Sequence, residues 1–312
     1  MSKYLVISSD GHAGPPAEIY RDYLDPEFRE AFDAHQEAVS AGRTVNQDFV
    51  DEWEEETGDH DLKAAYDPTT RDTILDTEGV AAEVLFPDAD VLGTGKAASS
   101  PFGSGLGSGA GADPVTVRAG ARAHNRWMAE FCATNPHRRI GVAVVPVTAG
   151  VDEAVASVHA AAESGLRGVM VPTRWFDAPA YIDAGYEPFW SACEETGLVL
   201  HTHSGAGPAD YQMGPGFLSI YAAEAWWWAA RPFWVFVLSG VFERHPNLKY
   251  SIAENGAWWV PDIVQRMDEK WVGAHNTRKF GDAFKLDLSR KPSEYVDDNC
   301  FFAASTPGVE EI

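Results

Sequence analysis

Asp10 and His12 stand two residues apart at the end of a short apolar run, Tyr4–Ile7. His201 and His203 repeat that spacing at the end of another run, Gly197–His203. On a β-strand, residues i and i+2 project to one face. A carboxylate and imidazoles converging from two strand ends form an oxygen-and-nitrogen donor set. Such a set suits a borderline divalent cation: zinc first, with manganese or iron as alternatives. Asp10, His12 and His203 are therefore the expected ligands. Taken singly, Asp10 could cap a turn and His12 could be an ordinary loop histidine; the recurrence at two strand ends points to a site. His201 stays open among a support behind the ligands, a ligand of a second metal and a hydrogen-bonded core histidine.

Further candidates come from other segments. Glu254 closes the run LKYSIAEN and could be a fourth ligand or a general base moving protons for metal-bound water. The competing role for that corner is helix capping by Asn255. Arg174, in VPTRW, has the fork geometry to hold a substrate carboxylate, or it pairs with a surface acid. His124 and Asn125 fall inside a helix, where substrate contact competes with a structural role. Trp175, Trp226–Trp228, Trp234, Trp258 and Trp259 belong to the core by default, with one or two free to wall an apolar pocket.

These side chains need strands to aim them. Short apolar runs alternate with helical stretches, the pattern of parallel βα units. Strands are expected at Tyr4–Ile7, Ala81–Pro87, Ile140–Val147, Gly168–Pro172, Gly197–His203, Leu248–Asn255 and Cys300–Ala304. Helices are expected at Thr69–Thr77, Val115–Ala133, Val151–Ser164, Glu187–Thr196 and Ala257–Trp271, with a Trp-rich helix after the fifth strand. The fold class is α/β: a single (β/α)8 TIM-like barrel over residues 1–312, with its eighth strand missing from this sequence. A doubly wound sheet would ask for a Gly-rich phosphate turn after the first strand, and SSDGHAG is not one. Residues 13–67 form a long polar insertion expected over the barrel mouth, and the Gly/Ser-rich run 92–113 is expected to be a flexible loop. In a barrel, the strand ends that carry the candidate ligands are where active sites collect.

Composition narrows the function classes. Of 312 residues, 45% are hydrophobic, enough for a sizeable core, and the formal net charge is −23. That charge repels nucleic-acid phosphates and anionic lipid, so neither is an expected partner. An anionic small-molecule substrate would need a local positive centre. Three cysteines without a CxxC spacing argue against a disulfide framework and suit a reducing cytoplasm. The N-terminus lacks the basic and apolar regions of a signal peptide. The Trp-rich stretch contains Glu224, Arg231 and Pro232 and falls short of ~20 clean apolar residues, so it reads as a buried helix. The apolar edge that a missing strand would leave argues either for a partner, with a homo-oligomer (a dimer) expected, or for a longer chain that supplies the strand.

ISSDGH, LVLHTHSGAG and SGVFERHPNLKYSIAENGAWWVPDIVQRMD resemble the amidohydrolase-related family, in its branch of aminocarboxymuconate-semialdehyde and γ-resorcylate decarboxylases. The resemblance runs from Tyr4 to about Phe302. It implies a metal-dependent barrel that hydrolyses, hydrates or decarboxylates small carboxylated or ring-derived molecules. It makes Asp10 and His12 the first-strand metal pair and His203 the fifth-strand ligand. Glu254 falls where many members carry a histidine, a departure from the family pattern. The resemblance also implies an aspartate ligand on an eighth strand, which this sequence does not reach. A hydrolase or carboxy-lyase is the leading expectation. An iron-dependent oxygenase on the same barrel and a non-catalytic binding barrel are the alternatives.

Overall fold

A computed structural model describes residues 5–42, 55–56, 58, 60–87, 113–175, 177–204, 215–276 and 286–303. The Gly/Ser-rich run up to residue 112, most of the acidic stretch around Glu52 and the loop 205–214 lie outside the described residues.

Seven strands are hydrogen-bonded side by side in sequence order: β1 (Val6–Ala13), β2 (Val80–Pro87), β3 (Arg139–Val144), β4 (Gly168–Met170), β5 (Val199–His203), β6 (Tyr250–Ala253) and β7 (Cys300–Phe302). Every neighbouring pair is parallel. Among the described residues no strand joins β7 to β1, and no eighth strand is seen. The expected strands are all present. β1 is the one that differs in kind: it continues through Ala13, so Asp10 and His12 sit on the strand itself rather than in a loop beyond it.

The helices between strands are α1 (Ala17–Tyr23), α2 (Arg29–Gly42), α3 (Pro68–Glu78), α4 (Pro114–Ala133), α5 (Val151–Glu163), α6 (Glu187–Thr196), α7 (Phe217–Leu238), the short α8 (Val241–Arg244), α9 (Val260–Asn276) and α10 (Pro292–Asn299). Local chemistry sets the ends of α3. Asp67 accepts hydrogen bonds from the Thr69 and Thr70 amides, Pro68 fills the first turn, and Gly79 closes the helix at φ 71°. The chain then enters β2 directly. In the insertion, α1 packs on α4: the Tyr20 hydroxyl donates to the Gly120 carbonyl at 2.5 Å, and Asp25 accepts from Arg122 at 2.9 Å. α7 runs unbroken through Pro232 and is apolar on nearly all sides, the mark of a helix packed on more than one face.

Strand alternation separates two apolar layers. Phe86, Val142, Val144, Met170, Ala253 and Ala303 cluster on the inner face. Leu85, Ala143, Val169, Leu200 and Ile252 point the other way, into the large cluster under the helices. The outer layer is tight at Gly141. A Cβ there would lie 2.6 Å from Leu166 Cδ2, 2.8 Å from Cys132 Sγ and 3.0 Å from Met128 Cγ. Gly141→Ala is expected to lower stability by about 1–3 kcal/mol through overpacking, read as a reduced midpoint in urea unfolding with an unchanged slope.

Candidate metal centre

Asp10 and His12 project from β1 and His203 from β5, and one ligand atom from each lies within 4.8 Å of the others. Among the described residues this is the one such cluster of metal-binding side chains. His203 Nε2 is 3.0 Å from Asp10 Oδ1, and His12 Nε2 is 3.5 Å from the same oxygen. The two imidazoles meet edge to face, with ring centroids 4.9 Å apart. The His203 side chain is 1% exposed, Asp10 16% and His12 31%, so the cluster is closed behind His203 and opens to water beside His12.

The far side of each imidazole decides its tautomer. His12 Nδ1 is 3.1 Å from the Pro87 carbonyl, and His203 Nδ1 is 3.0 Å from the Ser204 carbonyl. A carbonyl only accepts, so each Nδ1 carries the proton and donates it outward. That leaves the Nε2 lone pairs of both rings turned toward one carboxylate oxygen. Two lone pairs and a carboxylate repel unless positive charge lies between them. The donor set therefore fits a divalent cation, held by two nitrogens and an oxygen, with outward Nδ1–H bonds orienting the rings. Protons can fill the same role as a cation: where the imidazoles carry hydrogen on Nε2 they donate to Asp10, and although burial opposes its charge, those bonds hold the carboxyl well below the usual carboxylate range.

Glu254 stands behind His203. Its Oε2 is 3.4 Å from His203 Nδ1 and accepts the Ser204 hydroxyl at 2.6 Å. It lies on the opposite side of the ring from Asp10 and outside the three-residue cluster. Its backbone holds φ at 49°, the one described non-glycine residue with positive φ. Such strain at a strand end is a mark of a functional corner. The side chain is 49% exposed, so it reaches solvent at the mouth.

A family model described as amidohydrolase matches residues 33–279. The chain belongs to the amidohydrolase family. Among proteins similar to this amidohydrolase is the γ-resorcylate decarboxylase of Rhodococcus jostii, 27% identical over 208 residues that cover 59% of this chain and 57% of that protein. The corresponding enzyme of a Polaromonas species is 26% identical over 62% of this chain and 60% of its own length. The chain thus spans less than two thirds of these curated relatives. A 5-carboxyvanillate decarboxylase structure from Sphingomonas paucimobilis overlays with a TM-score of 0.64 at 22% identity, covering 99% of this chain and 82% of that one. One from Novosphingobium aromaticivorans, with bound manganese, gives 0.66 at 17% identity over 97% and 80%. These overlays establish the barrel fold.

Other expected site residues of the amidohydrolase are placed elsewhere. His201 is on the inner face one layer below His203, against Phe86 at 5.3 Å between centroids. It is buried, and its Nδ1 has no hydrogen-bond partner. Burial pushes its pKa down to about 3, so it stays neutral. The structure keeps it out of the ligand cluster. Asn125 is committed to the backbone: its amide donates to the Val144 carbonyl at 2.9 Å and its oxygen accepts the Val144 N–H at 2.7 Å. That clamp fixes the end of β3 and commits both ends of the carboxamide to the backbone. His124 is 1% exposed beside Trp127. Asn255 does not fill the competing capping role, because α9 begins only at Val260. The guanidinium of Arg174 lies 5.4 Å from the Trp228 ring. Sequence reasoning missed Ser204, which ties His203 to Glu254; a hydroxyl directly after a ligand histidine was the available signal.

Burial also pushes the His124 pKa down to about 4 from an ordinary 6.5. The unfolded chain takes up that proton first as pH falls, so stability is lost between about 6.5 and 4 and unaffected above 6.5. The gap corresponds to roughly 3 kcal/mol. His124→Phe should flatten this acid limb, measured as the unfolding midpoint in urea at pH 7, 5.5 and 4.5; an unchanged limb would contradict the assignment.

Proposed function

We propose that this amidohydrolase holds a divalent metal ion through Asp10, His12 and His203 and decarboxylates a small aromatic carboxylate. The observation that carries the reading is the paired orientation of the imidazoles, Nδ1 outward onto backbone carbonyls and Nε2 inward onto Asp10. The substrate class is supported by the relatives, which act on resorcylate and carboxyvanillate by name. Manganese is the favoured metal, since structures of similar proteins contain it; zinc and iron are compatible with the same donors. Bound there, the ion would stabilise negative charge on a substrate oxygen.

The chain's own residues do the rest. In decarboxylation the bond between the ring carbon and the carboxyl carbon breaks, CO2 departs and the ring carbon takes a proton. Glu254, strained, half-exposed and hydrogen-bonded to Ser204, is the group proposed to carry that proton. Arg174 is proposed to hold an anionic group of the substrate. The half-exposed Glu254 would equally serve a hydrolytic reaction, which keeps hydrolysis as the second reading. A homodimer is part of the proposal: α7 presents Ile220 and Trp227 to solvent, and Trp258 is also exposed. No described helix is long and apolar enough to cross a membrane.

Stripping divalent ions with a chelator should abolish turnover, and added manganese should restore it. Release of CO2 from dihydroxybenzoates or 5-carboxyvanillate, without incorporation of labelled water oxygen, is the expected result; labelled product would move the assignment to hydrolysis. Asp10→Ala, His12→Ala and His203→Ala should each lose both metal and activity, and full activity in these variants would overturn the site. Glu254→Gln should keep the metal content and cut kcat by about 10²–10⁴, with kcat and metal content measured on one preparation.

A further inference from the structure

The strand that carries Asp10 and His12 is held from behind by a group the proposed chemistry does not use. Arg71, on α3, forms a forked pair with Glu83 on β2: Nη2 donates to Oε2 at 2.7 Å and Nε to Oε1 at 3.0 Å. The remaining nitrogen, Nη1, donates to the backbone carbonyl of His12 at 2.7 Å and reaches the Ala64 carbonyl at 3.4 Å. Both side chains are withdrawn from water, Glu83 to 2% exposure and Arg71 to 13%. Removing such a pair from solvent is costly, and well-packed apolar side chains often serve stability as well. The pair thus invites an explanation beyond stability.

Two further observations give it one. The β1–β2 ladder shifts register between Ser8 and Gly11, so regular strand pairing is interrupted at the segment that carries Asp10. Gly11, between the two ligands, sits over the pair. A Cβ at Gly11 would stand 3.0 Å from Arg71 Nη2 and 3.2 Å from Glu83 Oε2. A side chain at that position would push against the guanidinium that grips the next residue. A planar fork fixed by Glu83 at two nitrogens leaves the direction of its third fixed too, which an ammonium cannot reproduce.

We propose that Arg71 is a positioning residue for the metal ligands, its guanidinium locked by Glu83 beneath Gly11 so that it sets the His12 carbonyl and hence where the His12 imidazole points. This rests on the reading of Asp10, His12 and His203 as ligands.

The test titrates metal-free full-length protein with manganese and with zinc by calorimetry, alongside its thermal midpoint. Arg71→Lys keeps the charge and removes the fork; it should weaken metal binding by about 10–100-fold. Gly11→Ala keeps both charges and should weaken binding in the same direction, so it decides the matter if the first variant does not fold. Arg138→Lys is the control. Arg138 binds the Val80 and Ala81 carbonyls and Asp76 at the other end of β2, away from the ligands. It should leave metal affinity unchanged whatever it does to the midpoint. The ring-nitrogen NMR shifts of His12 in the metal-free protein should move in Arg71→Lys and not in Arg138→Lys. Wild-type affinity in both Arg71→Lys and Gly11→Ala, even with lowered midpoints, would reduce Arg71 to a structural role and leave the ligand assignment standing. A wild type that takes up no metal, or an Asp10→Ala variant that binds as wild type does, would instead remove the ligand assignment, and the positioning role with it.

Discussion

The contact between His203 Nε2 and Asp10 Oδ1, at 3.0 Å across 193 residues of chain, is the constraint on which the structure turns. In the hydrogen-bonded order, β1 and β5 are separated by three other strands. Laid flat, strands spaced by about 4.8 Å would hold them roughly 19 Å apart. Contact at hydrogen-bond distance therefore requires the sheet to curl until its inner face closes on itself. The apolar inner layer of Phe86, Val142, Val144 and Met170 is what that curl buries. The outer helices, with Trp190, Phe189, Phe233 and Phe236 fully buried beneath them, hold the curvature from the other side. The donor atoms of β1 and β5 thus meet where both faces of the sheet are packed.

Much of this is legible in the sequence because strands impose a period of two. Asp10 with His12, and His203 on its own strand, could be aimed from spacing alone. The apolar runs that carry them are short, bounded by glycine and separated by helical stretches. What spacing does not reveal is what stands behind a side chain. Glu254 sits at a strand end as expected, yet its positive φ turns it to the outer nitrogen of His203 rather than into the cluster. His201 has the right period and the wrong depth, one layer down against Phe86. Asn125 lies near a strand end in space, but its carboxamide is consumed by both backbone groups of Val144. Helical and backbone-bonded roles of that kind leave no periodic trace.

Glu83 shows that some of the hidden layer was readable in principle. It is a carboxylate inside the run AAEVLFP, flanked by apolar residues. A buried acid needs a cationic or hydrogen-bonding partner, and Arg71 on the preceding helix supplies one. Gly11 between two candidate ligands carries the complementary hint, since a side chain there would meet that pair. Neither residue announces its partner on its own; only the fold joins them.

The overall charge of −23 gives the local arrangement its significance. An anionic substrate approaching such a surface is repelled at long range, although salt at physiological strength confines that repulsion to about 8 Å. Attraction must then come from groups that act at contact distance. Within the barrel mouth, the candidate metal donors present a carboxylate and lone pairs, which are themselves repulsive to an anion. In the proposed function a bound cation would reverse the sign of the site, and Arg174, whose guanidinium lies 5.4 Å from the Trp228 ring, would be the protein's own positive group. On the proposed reading the acidic exterior and the donor-lined interior fit together: a bound metal would supply the attraction for an anion that the donors alone do not.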